Sequence, residues 1–306
     1  MATAALAGPP NDPRRLVYLG SPQTAVPALL ALMEAGFEIV LVVTQPDKRR
    51  GRRADPSPTP VKAAALAAGL RVSHDLADVT EVDADLGVVV AFGEILRRDL
   101  LVEVPMINLH FSLLPRWRGA APVERALLAG DPETGVCVMA VEEGLDTGAV
   151  YSCSTVPIPT TITAAELAEN LATVGAELLV RTLSGGLGEP TPQEGEPVYA
   201  AKLTPAELEL DWNRPACELD RFVRVGGAWT TRRGSRVKVH RSVVHPLARP
   251  VGEPGALHGD LVTTGEGALQ LIEVQPEGKG KLAFPAWVNG ARPMPGEILG
   301  TDEVAS

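Results

Sequence analysis

The chain has 306 residues, of which 45% are hydrophobic and 22% charged, and its formal net charge is −10. That length suffices for two domains with separate cores, and the composition is that of a globular chain rather than a disordered or fibrous one. The negative balance excludes a general polyanion binder, and no apolar run reaches the length of a membrane span. The cysteines Cys137, Cys153 and Cys217 have neither an even count nor metal-ligand spacing, so they read as reduced, buried thiols of a cytoplasmic protein, with no metal.

Residues Met1–Arg14 lack a signal-peptide pattern and are expected to form a disordered tail. Arg15–Leu19 is a short apolar strand that ends in a turn at Gly20-Ser-Pro22, and Val26–Ala35 is a helix stopped by Gly36. Ile39–Val43 is a second, β-branched strand. Between Gln45 and Pro60 lies an extended loop with prolines at 46, 56, 58 and 60. Five of its six residues 48–53 are basic: Lys48, Arg49, Arg50, Arg52 and Arg53. Pro60–Gly69 is an alanine-rich helix, and Leu86–Ala91 is an all-apolar run of the kind found in central parallel strands.

After the apolar Val104–Ile107 come Asn108, His110 and Ser112 at alternate positions. On a strand this spacing puts all three on one face, where a strand end can deliver them into a cleft. An amide and an imidazole aimed at one point suit a carbonyl oxygen that becomes negative during acyl transfer. Asp146, in the glycine-flanked run Gly144-Leu-Asp-Thr-Gly148, can orient the imidazole. The absence of a serine or cysteine nucleophile in this set points to direct attack by an amine.

Thr163–Ser184 is a helix in which Leu167, Leu171, Val174, Leu178 and Leu179 follow the helical period up to Gly185-Gly186. Gly188–Pro197 has the composition of a linker, and a different region begins near Tyr199. There Val237–Val243 alternates basic and apolar residues, and Leu269–Val274 and Leu282–Pro285 are short strands. Arg221–Arg241 holds seven basic residues, among them Arg232, Arg233 and Lys238, and no acidic one. Local clusters of this kind bind phosphate whatever the global charge, because screening limits reach to about 10 Å. Strands alternating with helices give a doubly wound, mostly parallel α/β sheet, and Gly20-Ser-Pro22 does not complete a dinucleotide fingerprint.

The run Asn108–Pro122, with its core Asn-x-His-x-Ser-Leu-Leu-Pro, resembles the signature of the folate-dependent formyltransferases. The longer Ser-Leu-Leu-Pro-Arg-Trp-Arg-Gly-Ala-Ala-Pro is similar to members of that family that act on methionyl-tRNA. So are Gly20-Ser-Pro22, Thr44-Gln-Pro-Asp47, Gly51-Arg52, Pro58–Lys62, Val89–Gly93, Gly144–Gly148, Tyr199–Leu203 and Asp211-Trp212. The resemblance implies a Rossmann-like catalytic domain over 15–188, a linker over 189–208 and an OB-like, tRNA-binding domain over 209–306. It implies transfer of formyl from 10-formyltetrahydrofolate to the methionine amine of initiator tRNA, by a cytoplasmic monomer with no membrane partner. Asn108, His110 and Asp146 would be catalytic, and Ser112, Leu113, Leu114, Pro115, Phe92 and Gly93 would line the folate pocket. Lys48, Arg49, Arg50, Arg52, Arg53, Arg232, Arg233 and Lys238 would contact tRNA.

Two departures stand out. Asp47-Lys-Arg-Arg replaces the family's Asp-Arg-Pro before Gly51-Arg52, and the segment Arg221–Trp229 is shortened. Two rival functions share part of this pattern. A formyltransferase acting on a small amine, such as an amino sugar nucleotide or glycinamide ribonucleotide, leaves the basic clusters unexplained. A non-catalytic RNA-binding protein on the same scaffold leaves the polar trio unexplained.

Overall fold

The computed structural model describes residues 5–49, 55–246 and 252–301. Its strands are β1 (Arg15–Gly20), β2 (Glu38–Val43), β3 (Lys48–Arg49), β4 (Pro56–Ser57), β5 (Val72–Ser73), β6 (Leu86–Val90), β7 (Met106–His110), β8 (Arg118–Gly119), β9 (Glu133–Ala140), β10 (Val150–Pro157) and β11 (Tyr199–Ala200). They continue with β12 (Trp229–Arg232), β13 (Ser235–His245), β14 (Ala256–His258), β15 (Leu261–Thr263), β16 (Ala268–Pro276), β17 (Leu282–Ala283) and β18 (Glu297–Ile298). The α-helices are α1 (Val26–Glu34), α2 (Pro60–Ala67), α3 (Arg98–Glu103), α4 (Pro122–Ala129), α5 (Ala164–Ser184), α6 (Ala216–Val225) and α7 (Phe284–Ala291). None is long and apolar enough to cross a membrane.

The chain divides into two compact units, one of residues 1–123, 133–158 and 166–201, the other of 124–132, 159–165 and 202–306. The first is built on a seven-stranded sheet of order β10-β9-β7-β6-β1-β2-β5. β7, β6, β1, β2 and β5 run parallel, β9 pairs antiparallel with β7, and β10 pairs antiparallel with β9. The mostly parallel α/β sheet is therefore as expected. Leu16 to Leu19, and Leu86, Val88 and Val90, are fully buried, which is why these strands read as unbroken apolar runs. Gly87 interrupts one of them because a Cβ there would meet the Met106 side chain at 2.8 Å.

The helix signals are also realised. Thr59 caps α2 by accepting from the Lys62 N–H, with Pro60 at the first turn. α5 buries Leu167, Leu171, Leu178 and Leu179 along one stripe and ends at Gly186 (φ +84°). Its Gly175 allows close approach to Leu109 of β7, since a Cβ would lie 2.9 Å from that side chain.

Residues expected in the disordered tail are tied into this unit from Ala7 onward. The Ala7 N–H donates to the Leu101 carbonyl at 3.1 Å, and Asn11 accepts from the Leu187 and Gly188 N–H groups. The expected linker is likewise engaged: Thr191 bridges Val150, and β11 pairs with β8. The reading of three reduced, buried thiols needs correction. Cys137 and Cys153 are direct cross-strand partners in the β9–β10 pair and are joined by a disulfide, while Cys217 is free and exposed. Antiparallel register brought them together, and Cα atoms 4.2 Å apart suit a non-hydrogen-bonded pair.

The second unit is an antiparallel sheet of order β12-β13-β16-β15-β14-β18, with β17 beside β16. Its core gathers Trp212, Leu219, Val239, Leu269, Phe284 and Trp287. On β13, Val237 and Val239 are buried while Arg236 and Lys238 are exposed, the alternation expected of a half-exposed strand. The two edges nearly meet: the Gly300 N–H, just past β18, donates to the Thr231 carbonyl of β12 at 2.8 Å. The sheet is thus a near-barrel, in keeping with the expected OB-like class.

Thiol titration of the unfolded but unreduced chain should count one reactive group, from Cys217, and three only after reduction. Three without reductant contradicts the cross-strand pair. Leu171→Ala, at a fully buried α5 position, should cost about 2–5 kcal/mol in urea unfolding; a loss below about 1 kcal/mol contradicts the packing of that stripe.

Candidate active site

The strand order of the first unit reverses between β1 and β6, and open sheets of this kind bind ligands at that crevice, beyond the carboxyl ends of the strands. The motifs collect there. Gln45, after β2, takes its backbone N–H to the Ser21 hydroxyl after β1 and its side-chain amide to Glu94 after β6. Thr44 shares a 2.6 Å hydrogen bond with Thr59, at the start of α2. Asn108 on β7 is in register with Val89 on β6, so the ends of these two strands lie side by side.

Asn108 and His110 leave the same face of β7, as their spacing predicts. Asp146 meets them from the loop between β9 and β10. Its Oδ1 accepts from Asn108 Nδ2 at 3.4 Å, and its Oδ2 lies 3.6 Å from His110 Nδ1. The strongest contact on this carboxylate is one the sequence did not disclose: the Gly119 backbone N–H donates to Oδ2 at 2.7 Å. His110 Nε2 donates at 2.9 Å to the Trp117 carbonyl, which can only accept, so Nε2 carries the hydrogen and Nδ1 is the position facing Asp146. His110 is 5% exposed, so this ring has little water to solvate it.

The local backbone explains the residue types. Asp146 sits at φ +52°, a left-handed conformation that Asp tolerates better than most residues. Gly148 follows because a Cβ there would strike the Ala140 carbonyl. Gly119 adopts φ +116°, and a Cβ on it would lie 3.0 Å from the Ala200 carbonyl of β11, the strand paired with β8.

The residues expected to line a folate pocket divide into two groups. Leu113, Leu114 and Pro115 are half-buried, and Gly93 is exposed at φ +86°. Ser112 is fully buried and donates its hydroxyl to the Arg116 carbonyl at 2.6 Å, and Phe92 belongs to the core. Among the described residues no group of three or more His, Cys, Asp or Glu is placed to hold a metal ion.

The basic residues are also sorted by the structure. Lys48 and Arg49 are exposed on β3, where pairing with β4 closes the base of the basic loop. Arg50, Arg52 and Arg53 lie outside the described residues. Lys238 is exposed beside Arg236, whose guanidinium stacks 3.8 Å from the Trp229 ring. Arg232 and Arg233 instead both reach Glu297 of β18, with N–O distances of 2.9 Å. They latch the near-barrel's two edges, a role invisible in sequence because Glu297 lies 65 residues beyond Arg232.

The formyl transferase family pattern matches residues 14–183, and that of the formyl transferase C-terminal domain matches 202–292. The chain belongs to the formyl transferase family. It is 46% identical to the methionyl-tRNA formyltransferase of Symbiobacterium thermophilum, covering 90% of this chain and 92% of that one. To the protein of the same name in Ruegeria pomeroyi it is 43% identical, covering 87% and 93%.

Solved structures agree on the fold. HypX from Aquifex aeolicus in complex with tetrahydrofolic acid superposes with a TM-score of 0.63 at 17% identity, over 90% of this chain and 47% of that one. This chain thus spans about half the length of HypX. The N-formyltransferase from Helicobacter canadensis, in complex with folinic acid and dTDP-3-aminofucose, gives 0.62 at 16% identity, over 84% and 98%. The methionyl-tRNA formyltransferase from Clostridium thermocellum gives 0.53 at 13%, over 75% and 92%.

Burial pushes the Glu297 carboxyl up, but the Met294 N–H and the Arg232 and Arg233 guanidiniums together hold it below the usual glutamate range. A carboxylate lowered in the folded state contributes stability above its unfolded pKa, and loses it as pH falls through the folded value. The stability of the wild type should therefore decline on acidification through and below the ordinary glutamate range, and Glu297→Gln should flatten that decline. Parallel stability–pH curves for the two proteins contradict the latch.

Proposed function

We propose that this chain transfers the formyl group of 10-formyltetrahydrofolate to the α-amine of methionine esterified to initiator tRNA. The observation that carries the reading is the convergence of Asn108, His110 and the Gly119 N–H on the Asp146 carboxylate. Membership of the formyl transferase family and the names of the close relatives support the reaction and its acceptor.

On this reading the chain's own groups do the following. At 3.4 Å the Asn108–Asp146 contact is weak, so the amide can turn to the formyl oxygen at little loss. As the amine nitrogen bonds to the formyl carbon, the carbonyl electron pair moves onto oxygen, where the Asn108 amide holds the charge and His110 joins it once its Nε2–H turns from the Trp117 carbonyl. Asp146 orients His110 and, through water, passes the amine proton to the folate nitrogen as its bond to the formyl carbon breaks. Half-buried Leu113, Leu114 and Pro115 and the exposed backbone at Gly93 are the groups assigned to the pteridine, since apolar side chains with a few backbone donors and acceptors suit such a ring. Ser112 and Phe92 support that wall from behind, given their complete or near-complete burial.

Lys48 and Arg49, with Arg50, Arg52 and Arg53 beyond them, present positive charge to the acceptor stem, and Arg52 reads the stem's end. In the second unit Lys238 and Arg236 are the favoured phosphate contacts, because Arg232 and Arg233 are occupied by Glu297. The enzyme works as a monomer in the cytoplasm, where translation begins.

Formyl transfer should be measured with initiator and elongator methionyl-tRNA side by side. Wild type should act on the initiator, and His110→Ala should reduce kcat by roughly 10²–10⁴-fold. Full activity of His110→Ala, or formylation of an amino sugar nucleotide in place of either tRNA, overturns the reading. Arg52→Ala should raise KM for tRNA and weaken its salt dependence while leaving KM for the folate unchanged; an unchanged KM for tRNA removes Arg52 from the interface.

A further inference from the structure

The run Gly188–Pro197 looks like a linker, yet it sends one side chain into the candidate site. The Gln193 amide is fully satisfied. Its Oε1 accepts from Arg118 Nε at 3.0 Å and Nη2 at 2.7 Å. Its Nε2 donates to the Asp146 carbonyl at 2.9 Å and the Gly148 carbonyl at 2.8 Å. Both partner loops are already joined on their other side, where the Gly119 N–H meets the Asp146 carboxylate. Arg118 and Gly119 are consecutive, so these contacts form a closed ring. Gln193 holds the backbone of Asp146, and Gly119 holds its carboxylate.

The ring has a mechanical consequence. Asp146 sits at φ +52°, a conformation that costs free energy and persists only where the surroundings hold it. Its Oδ2 stands 3.6 Å from His110 Nδ1, beyond direct hydrogen-bond distance, so a small shift of the loop alters the pairing substantially. The two carbonyls that Gln193 engages flank Thr147, at the crest of that loop. The segment bearing Gln193 is itself pinned, by Thr191 on Val150 and by β11 on β8.

We propose that Gln193 is a positioning residue for formyl transfer, setting the Asp146 carboxylate against His110 by tying the Asp146 loop to Arg118. This rests on the reading of Asp146 and His110 given above. Gln193 touches no reacting atom.

The test is a double-mutant cycle on the full chain, with 10-formyltetrahydrofolate and methionyl initiator tRNA as substrates. Gln193→Ala should lower kcat by roughly tenfold to a hundredfold, with both KM values within about threefold of wild type. Gln193→Glu keeps the acceptor for Arg118 but removes both donors to the loop, so it should be slowed at least as far. If Gln193 acts through Asp146, adding Gln193→Ala to Asp146→Asn should cause little further loss. In the protein without substrates, hydrogen exchange over residues 144–149 should be faster in Gln193→Ala than in wild type.

A wild-type rate for Gln193→Glu, fully additive losses in the cycle, or unchanged exchange over 144–149 each overturns the assignment. A wild-type rate for Asp146→Asn alone marks a different failure: it overturns the reading of Asp146 itself, and this inference with it.

Discussion

The carboxylate of Asp146 is where β7 and β8 meet. It accepts from the Asn108 amide of β7 and the Gly119 N–H of β8, and it lies 3.6 Å from His110 Nδ1 of β7. The short Gly119 contact anchors the carboxylate, and the longer approaches of Asn108 and His110 leave those side chains beside it and free to turn. The backbone accepts a left-handed turn at Asp146 and requires Gly148 two residues on, so the loop's shape serves the carboxylate. β7 contributes because it is buried and parallel, and its end cannot drift.

Elsewhere in each unit, charge is used in two ways. In the first unit Lys62 and Asp47 pair at 2.7 Å where the basic loop departs, and β3 and β4 narrow its base. In the second unit, arginines that look identical in composition have different tasks. Arg232 pairs with a Glu297 side chain that is only 7% exposed and so closes a near-barrel, whereas Arg236 stacks openly on Trp229. A count of positive residues does not separate these roles, because pairing consumes the charge of one and leaves that of the other.

Much of this was legible in the sequence because it depends on local period. The apolar runs of β1 and β6, the stripe of α5 and the alternation of β13 are each written within about twenty residues. Asn108, His110 and Asp146 stood out because polar groups on an apolar strand, and a carboxylate between glycines, are costly without a task. The illegible parts depend on partners far along the chain. Gln193 meets Asp146 across 47 residues and Arg118 across 75. Its surroundings of Gly, Pro and Glu carry the composition of a connector, and backbone carbonyls leave no mark in a sequence. The Cys137–Cys153 pair was missed for a related reason: it follows from the register of β9 against β10, which spacing alone does not specify.

The claim that a single carboxylate organises the site is tested most directly by the Gly119 amide. Its proton resonance and its exchange with solvent, followed by NMR in the protein without substrates, should be those of a strongly hydrogen-bonded amide, and Asp146→Ala should move the resonance upfield and speed the exchange. A Gly119 amide whose resonance and exchange are the same in Asp146→Ala would contradict the account, because its hydrogen would then not be held by that carboxylate.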